Sequence, residues 1–421
     1  MPEDRTADST TRSATDRRTL LKGVGAAGVA GLSGLAGCAG GGGGVDGTVR
    51  YGVLTPDTGT YSSLAEGQRQ GARMAIRDVN ESDEYDFEIE RFDGDTEASD
   101  EVAQEEAERL IRQNDIDYMI GAISSSVALS LNEVADSQEI VYNPGGAAIP
   151  ITGGACNEYV FRCETNTAMI AEACAEWTIE NLGSDVFFHI ANYAYGESVL
   201  REWRSRMEAS DAEFNEVDQT GAEFGAENFD PFISQIANSD ADVAVIGATG
   251  GDLVRFLSQA ASQNLQDEVD IMTTTGSFLS VRRGIGEAGY GVYSGTRYVP
   301  SVDTGDNQDF VGRYRDQYDS EPDNFARVAY DSVRMTANGI REAGTADPEE
   351  VKDTLAGLSQ SPTLFGDNAF RSCDHQATNP VWVGRNVEPE GDTAAADVEL
   401  VDRVAGSDAI PSCSDVDCDL G

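Results

Sequence analysis

The sequence predicts an α/β protein built from two doubly wound, Rossmann-like lobes joined by a hinge. Three observations carry this expectation. Strand and helix patterns alternate from residue 48 to about residue 300. The alternation falls into two cycles. A helix-rich return segment and two short strands then close the chain. Repeated β-α-β alternation builds parallel sheets covered by helices. With 421 residues and 40% hydrophobic content, the chain can bury more than one core.

In the first cycle, 48–55 (TVRYGVLT) reads as a strand, and 63–80 as a helix with Ala72, Ala75, Ile76 and Val79 on one face. Residues 86–93 alternate through Phe87 and Ile89 as a strand. Residues 100–113 form an acidic helix with Val102, Ala103, Leu110 and Ile111 inward. Then come a strand at 116–122, a helix at 126–138 and a short strand at 139–143. In the second cycle, helices are expected at 167–181, 196–210, 229–238 and 250–263. They alternate with strands at 185–191, 213–218, 242–248, 270–275 and 291–299. Helices at 306–318, 323–343 and 347–360 follow, then strands at 381–385 and 398–403. The expected division is 48–165 plus about 301–364 for one lobe and about 166–300 plus 365–403 for the other. Residues 404–421 read as an acidic tail, loosely held apart from its cysteines.

Charge narrows the function classes. The chain carries 75 acidic against 29 basic residues, a formal net charge of −46. Nucleic acid and anionic membrane surfaces are excluded as partners by repulsion. Only Lys22 and Lys352 are lysines; the other basic residues are arginines. Such a charge repels itself at ordinary salt, whereas at about 1 M salt the screening length falls to about 3 Å. The composition therefore points to a salt-rich environment.

Residues 1–37 read as an export signal. Arg17-Arg18 precede Leu20-Leu21 and a Gly/Ala-rich run from Val24 to Ala36, resembling a twin-arginine lipoprotein signal. The run is too short to span a membrane, which takes about 20 apolar residues. Leu35-Ala36-Gly37-Cys38 resembles a lipobox, making Cys38 the expected lipidation site, and residues 38–47 a glycine-rich tether. A plain secretion signal with an incidental cysteine is the bland alternative. The expected body is extracytoplasmic, monomeric and lipid-anchored to the outer face of the membrane. Six further cysteines, at 156, 163, 174, 373, 413 and 418, favour disulfides in an exported protein. Local pairs, 156 with 163 and 413 with 418, are the simplest pairings. Zinc has little support, with only His189 and His375 and no CxxC pair.

Ligands in doubly wound sheets bind beyond the carboxyl ends of strands, so the loops there are the candidates. After the first strand comes Pro56 to Ser63, in which Tyr61 can line a pocket or simply pack. After the third comes Ser124-Ser125-Ser126 at a helix start, where hydroxyls and free N–H groups suit an anion; an N-cap with spare neighbours is the alternative. After the fourth comes Asn143-Pro144-Gly145-Gly146-Ala147, whose glycines allow close backbone approach or a tight turn. Asn192-Tyr193-Ala194-Tyr195 follows the strand at 185–191. No Ser/His/Asp order, HExxH, P-loop or dinucleotide fingerprint is present, so no enzyme activity and no cofactor are expected.

The run from Tyr51 to Arg385 resembles the leucine/isoleucine/valine-binding family of solute-binding proteins of ABC importers, with the periplasmic binding protein-like I fold. The matching stretches are Gly52 to Pro56, Gly71 to Asn80, Ile120-Gly121 with the three serines, Asn143 to Gly146, Ala194 to Glu197, and Cys373 to Gln376. The resemblance implies that Ser125 holds a ligand carboxylate, that Gly145 offers its carbonyl to an ammonium, and that Tyr195 faces the cleft. It also places Ser124, Ser126, Gly146, Ala147, Thr275 and Ser277 at the site, with membrane permease subunits as partners. Two departures stand out. Ala147 replaces a hydroxyl residue, and the stretch Thr273 to Ser277 lacks the family's acidic partner for the ammonium. Asp331 is the nearest substitute, unless it pairs with an arginine such as Arg327. A carboxylic acid, amide, urea-like solute or short peptide therefore fits at least as well as a branched-chain amino acid. A chemosensory receptor subunit shares every one of these features; a secreted hydrolase would need a catalytic pair that the sequence does not offer.

Overall fold

The computed structural model describes residues 45, 47–390, 395–418 and 420. The expected signal and Cys38 lie outside them. The first cycle runs β1 (Gly47–Thr55), α1 (Ser62–Glu81), β2 (Phe87–Asp95), α2 (Asp100–Asn114), β3 (Tyr118–Gly121), α3 (Ser125–Gln138) and β4 (Val141–Pro144). These strands form a parallel sheet in the order β2-β1-β3-β4. Side chains alternate across it as strand geometry demands. Val49, Tyr51, Val53 and Ile120 face one core, and Leu54 and Met119 the other, against α2 and α3.

The second cycle runs α4 (Thr167–Asn181), β5 (Asp185–Asn192), α5 (Ala194–Ala209), β6 (Asn215–Glu223), α6 (Asp230–Ala237) and β7 (Val243–Gly247). It continues with α7 (Gly250–Ser262), β8 (Asp270–Thr273), α8 (Leu279–Ile285) and β9 (Tyr293–Thr296). The chain then returns through α9 (Asn307–Tyr318), α10 (Asn324–Ala343), α11 (Pro348–Leu355) and the hairpin β10 (Ser359–Thr363) and β11 (Gly366–Ala369). It closes with β12 (Val381–Val387), β13 (Asp397–Val404) and α12 (Gly406–Ala409). The second sheet has seven strands, ordered β13-β12-β9-β8-β7-β5-β6, with β12 antiparallel to both neighbours. Phe187, Ala244 and Ile246 face α6 and α7, while Val186, Phe188, Val243 and Val245 face α4 and α5. Fully buried Trp203 fills the latter layer.

The return segment completes the first lobe. Helix α10 lies along α1, and their backbones touch closely: a methyl group on Gly71 would stand 2.1 Å from the Ala326 carbonyl oxygen. The crossovers between the sheets run side by side. Arg162 N donates to His375 O at 2.9 Å, and Ala377 N to Arg162 O at 2.9 Å. The buried Arg162 side chain donates to Gln376 Oε1 and to Ala148 O, both at 2.6 Å. His375 stacks on Phe161 with centroids 4.1 Å apart, a packing role.

Several sequence expectations are corrected here. The helix expected at 347–360 stops at Leu355, because Gly357 takes a φ of +83° and a hairpin follows. Helix α8 lies where no regular element was expected, and the β10–β11 hairpin begins within the last residues of the expected helix. The local disulfides do not form. Cys156 pairs with Cys418 and Cys373 with Cys413, while Cys163 and Cys174 are buried free thiols. Cys163 points into the core, 3.6 Å from the Met335 sulfur, out of reach of Cys156. The tail is accordingly not loose: both of its cysteines tie it back to the body, and α12 packs on α4.

Candidate functional site

The strand orders locate a site by themselves. In the first sheet the connection from β1 runs to β2 on one side, and the next, from β2, runs to β3 on the other side of β1. In the second the connections diverge between β5 and β7. A crevice opens beyond the carboxyl ends of the strands at each such point. The loops leaving β1 and β3 carry Tyr61 and Ser125; those leaving β5 and β7 carry Tyr193 and Thr249. All four residues line one cavity between the lobes. Gly145 and Ala147 join from beyond β4, Thr275 and Phe278 from beyond β8, and Arg297 from beyond β9.

Each side chain has a definite local setting. Ser125 Oγ accepts from Ala147 N at 3.2 Å and Ala148 N at 3.1 Å, so the serine loop and the glycine loop are stapled together and the hydroxyl proton remains to donate. Gly145 leaves room for its neighbours: a Cβ would stand 2.8 Å from Gln68 Nε2 and push that side chain aside. Tyr61 and Tyr193 join hydroxyl to hydroxyl across the lobes, and burial pushes both phenols well up, so both are neutral. Tyr195 donates to Thr274 Oγ1 at 2.6 Å and accepts from Arg297 Nη2 at 2.9 Å. Thr275 donates to Ala248 O at 2.9 Å. The Thr249 hydroxyl is buried without a hydrogen-bond partner among the described residues. The cavity volume is about 10 Å³, room for about one water. The lobes are therefore closed on each other, and a solute enters only as they separate. A groove of about 980 Å³ also exists, but it is open and lined by exposed Arg283, Gln308 and Arg315.

Six of the sequence-derived candidates meet at the cavity: Tyr61, Ser125, Gly145, Ala147, Tyr195 and Thr275. Four do not line it. Residues one apart on a helix point about 100° away from each other, so of the three serines only Ser125 faces in. Ser124 is the buried N-cap of α3, and Ser126 lies on a surface groove with Asp100 and Gln104. Gly146 serves packing, since a Cβ there would meet Ala128 and Ser125 at 3.0 Å. Ser277 donates its N–H to Ser294 Oγ instead. Asp331 is not the substitute acid: it sits in the first lobe's core, accepts from Leu364 N at 3.1 Å, and burial pushes its carboxyl up to about 6.

The residues missed are instructive. Thr249 follows a strand and opens a helix, so the loop rule would have found it. Phe278, one residue past Ser277, lies within reach of the same rule, whereas Arg297 falls inside the strand expected at 291–299 and Phe325 inside the helix expected at 323–343. Arg297 is 2% exposed, and its Nη1 lies 3.5 Å from Glu164 Oε1. Glu164, fully buried on the crossover, also stands 3.9 Å from Arg327 and accepts from Asn324 Nδ2 at 2.6 Å. Among the described residues no group of three His, Cys, Asp or Glu side chains could hold a metal, and no helix is long and apolar enough to cross a membrane.

Two α/β lobes closing over a buried polar and aromatic cavity define a solute-binding architecture. Residues 48–392 match the model of the periplasmic binding protein family. The chain belongs to that family, whose members bind rather than catalyse. A Leu/Ile/Val-binding protein homolog of Brucella abortus is 24% identical over 286 residues, 65% of this chain and 67% of its own length. A periplasmic binding protein from Burkholderia mallei superposes with a TM-score of 0.79 at 20% identity, covering 89% of this chain and 99% of that one. The solute-binding protein of an ABC transporter from R. palustris, solved in complex with benzoate, gives 0.75 at 22% identity over 85% of this chain and 98% of that one.

Proposed function

We propose that this protein is the extracytoplasmic receptor of an ABC importer, capturing a small organic solute between its lobes and presenting the closed form to membrane permease subunits. The observation that carries the reading is the convergence of both sheets' strand ends on one closed cavity. Tyr61, Ser125, Gly145, Ala147, Tyr195 and Thr275 would contact the solute, joined by Tyr193, Thr249 and Arg297. Opening would turn about the paired crossovers at Arg162 and Gln376. The relatives' names point to amino acids, and the benzoate complex to aromatic acids, as solute classes to try first.

The test is a thermal-shift screen of amino acids, carboxylates, amides and dipeptides in molar KCl. A true ligand at 100 times its dissociation constant stabilises by about 2.7 kcal/mol. A panel with no shift refutes the reading. Two further parts of the proposal lie in the sequence. Lipid attachment at Cys38 predicts that Cys38→Ala releases the protein from the membrane fraction; unchanged membrane retention refutes it. Adaptation to salt predicts a melting temperature that climbs steeply with KCl, because screening relieves a net charge of −46; a flat response refutes it.

A further inference from the structure

We infer that the solute is an aromatic carboxylate lacking an ammonium group, and that Arg297 is the residue selecting its charge. This rests on the interlobe cavity being the ligand site.

The sign of the site comes first. Helices α1, α3, α5 and α7 all begin at the cavity. Their N-cap residues, Tyr61, Ser124, Tyr193 and Thr249, make no side-chain capping bond. Each helix start carries partial positive charge. Four such starts, two from each lobe, meet at one small volume; the first turns of α5 and α7 carry Glu197 and Asp252, so the positive polarity is clearest at α1 and α3, which have no acid there. The Thr249 hydroxyl and Arg297 Nε are buried there with no partner among the described residues. Among the described residues Arg297 is the one fully charged side chain lining the cavity, and Glu164, 3.5 Å from it, is not its partner alone. That carboxylate is shared by Arg297 and Arg327 and by hydrogen bonds from Asn324 Nδ2 and Thr165 N. Arg327 is itself opposed by the buried Asp331 carboxylate, so what favours an anion at Arg297 is its unpartnered Nε in the cavity wall.

The opposite pole is weak: the acids that act on the cavity tyrosines, Asp252 and Glu164, are tied to Arg255 and Arg297. Among the described residues no Asp or Glu lines the cavity, and Glu164 is fully buried beside Arg297. A zwitterionic amino acid would bury its ammonium without a counter-charge in the cavity wall, a large desolvation cost. The body of the solute is read from the rings. Tyr61, Tyr193, Tyr195, Phe278 and Phe325 form the wall. The Arg297 guanidinium carbon lies 5.2 Å from the Phe278 ring centre and 5.7 Å from that of Tyr195. A carboxylate meeting that guanidinium would place its own ring among these aromatics.

The experiment is calorimetric titration of the full chain with benzoate, benzamide, L-phenylalanine and L-leucine, for wild type, Arg297→Gln and Arg297→Lys. Benzoate should bind wild type at least about tenfold tighter than the other three, since it alone brings an anion without an ammonium. Arg297→Gln should weaken benzoate about 30-fold or more and leave benzamide nearly unchanged. Arg297→Lys should keep part of the benzoate preference. Should Arg297→Gln fail to fold, the wild-type ranking and Arg297→Lys still decide. Tighter binding of phenylalanine or leucine than benzoate, or a benzoate affinity indifferent to Arg297→Gln, overturns the inference and leaves the solute-receptor reading standing. No binding by any of the four, together with a silent wider screen, overturns both.

Discussion

Replacing Glu164 by Gln should lower stability and raise affinity for a carboxylate at the same time. Glu164 is fully buried, 3.5 Å from Arg297 and 3.9 Å from Arg327. At an effective dielectric constant of about 20, each attraction amounts to about 4–5 kcal/mol. Relief of the carboxylate's own desolvation offsets part of that, and removing one partner of a buried pair costs a net of about 3–5 kcal/mol. The glutamine keeps the shape and can still accept from Asn324, so the loss is electrostatic. Urea unfolding at fixed KCl, followed by tryptophan fluorescence, reads it. Trp177, Trp203 and Trp382 all lie on elements of the second sheet's lobe, α4, α5 and β12, so the signal reports that lobe. The substitution also leaves Arg297 uncompensated, so benzoate should bind about tenfold tighter, within the range of charge-assisted bonds. A stability loss below about 1 kcal/mol would sink the electrostatic reasoning. Weaker benzoate binding would show that Glu164 holds Arg297 in position rather than competing for it.

Gly71→Ala should destabilise by about 1–3 kcal/mol through overpacking, because its methyl group would stand 2.1 Å from the Ala326 carbonyl; a melting curve matching wild type would contradict the α1–α10 contact. Non-reducing peptide mapping should recover Cys156 with Cys418 and Cys373 with Cys413. Cys163 and Cys174 should alkylate only after unfolding, since both are buried and burial pushes their thiols up, that of Cys163 to about 12. Burial holds His375 down at about 4, against an ordinary value near 6.5. Below pH 6.5 the unfolded chain therefore takes a proton that the folded one refuses. The contribution of His375 is complete above that pH and is lost as pH falls toward 4. His375→Gln should flatten the pH dependence of stability across this window; an unchanged slope would mean that the imidazole titrates normally in the fold.

Most of the fold was legible because it is repetitive and local. Helix α10 shows the signal at full strength: Ala326, Tyr330, Val333, Ala337 and Ile340 recur on one buried face. Strands such as β1 declare themselves by alternation. Where the signal was local but ambiguous, boundaries slipped, as at Leu355, where helical residues run into a hairpin. At the site, Ser125, Gly145 and Tyr195 were found because each follows a strand. The neighbours of Ser125 were not separable in the sequence, since only helical rotation decides which serine faces the ligand.

The sequence by itself determined the class of fold, the loops that build the cleft, the acidic surface and the absence of an acid beyond β8. These depend on residue type and spacing along the chain. Only the tertiary structure decided the disulfide pairs, the core position of Asp331 and the meeting of Glu164, Arg297 and Arg327. The reason is distance along the chain. Glu164 and Arg327 are separated by more than a whole lobe, and the return of the chain through the first lobe brings them together. Burial then converts an ordinary-looking arginine after β9 into the one fully charged side chain, among the described residues, that lines the cavity.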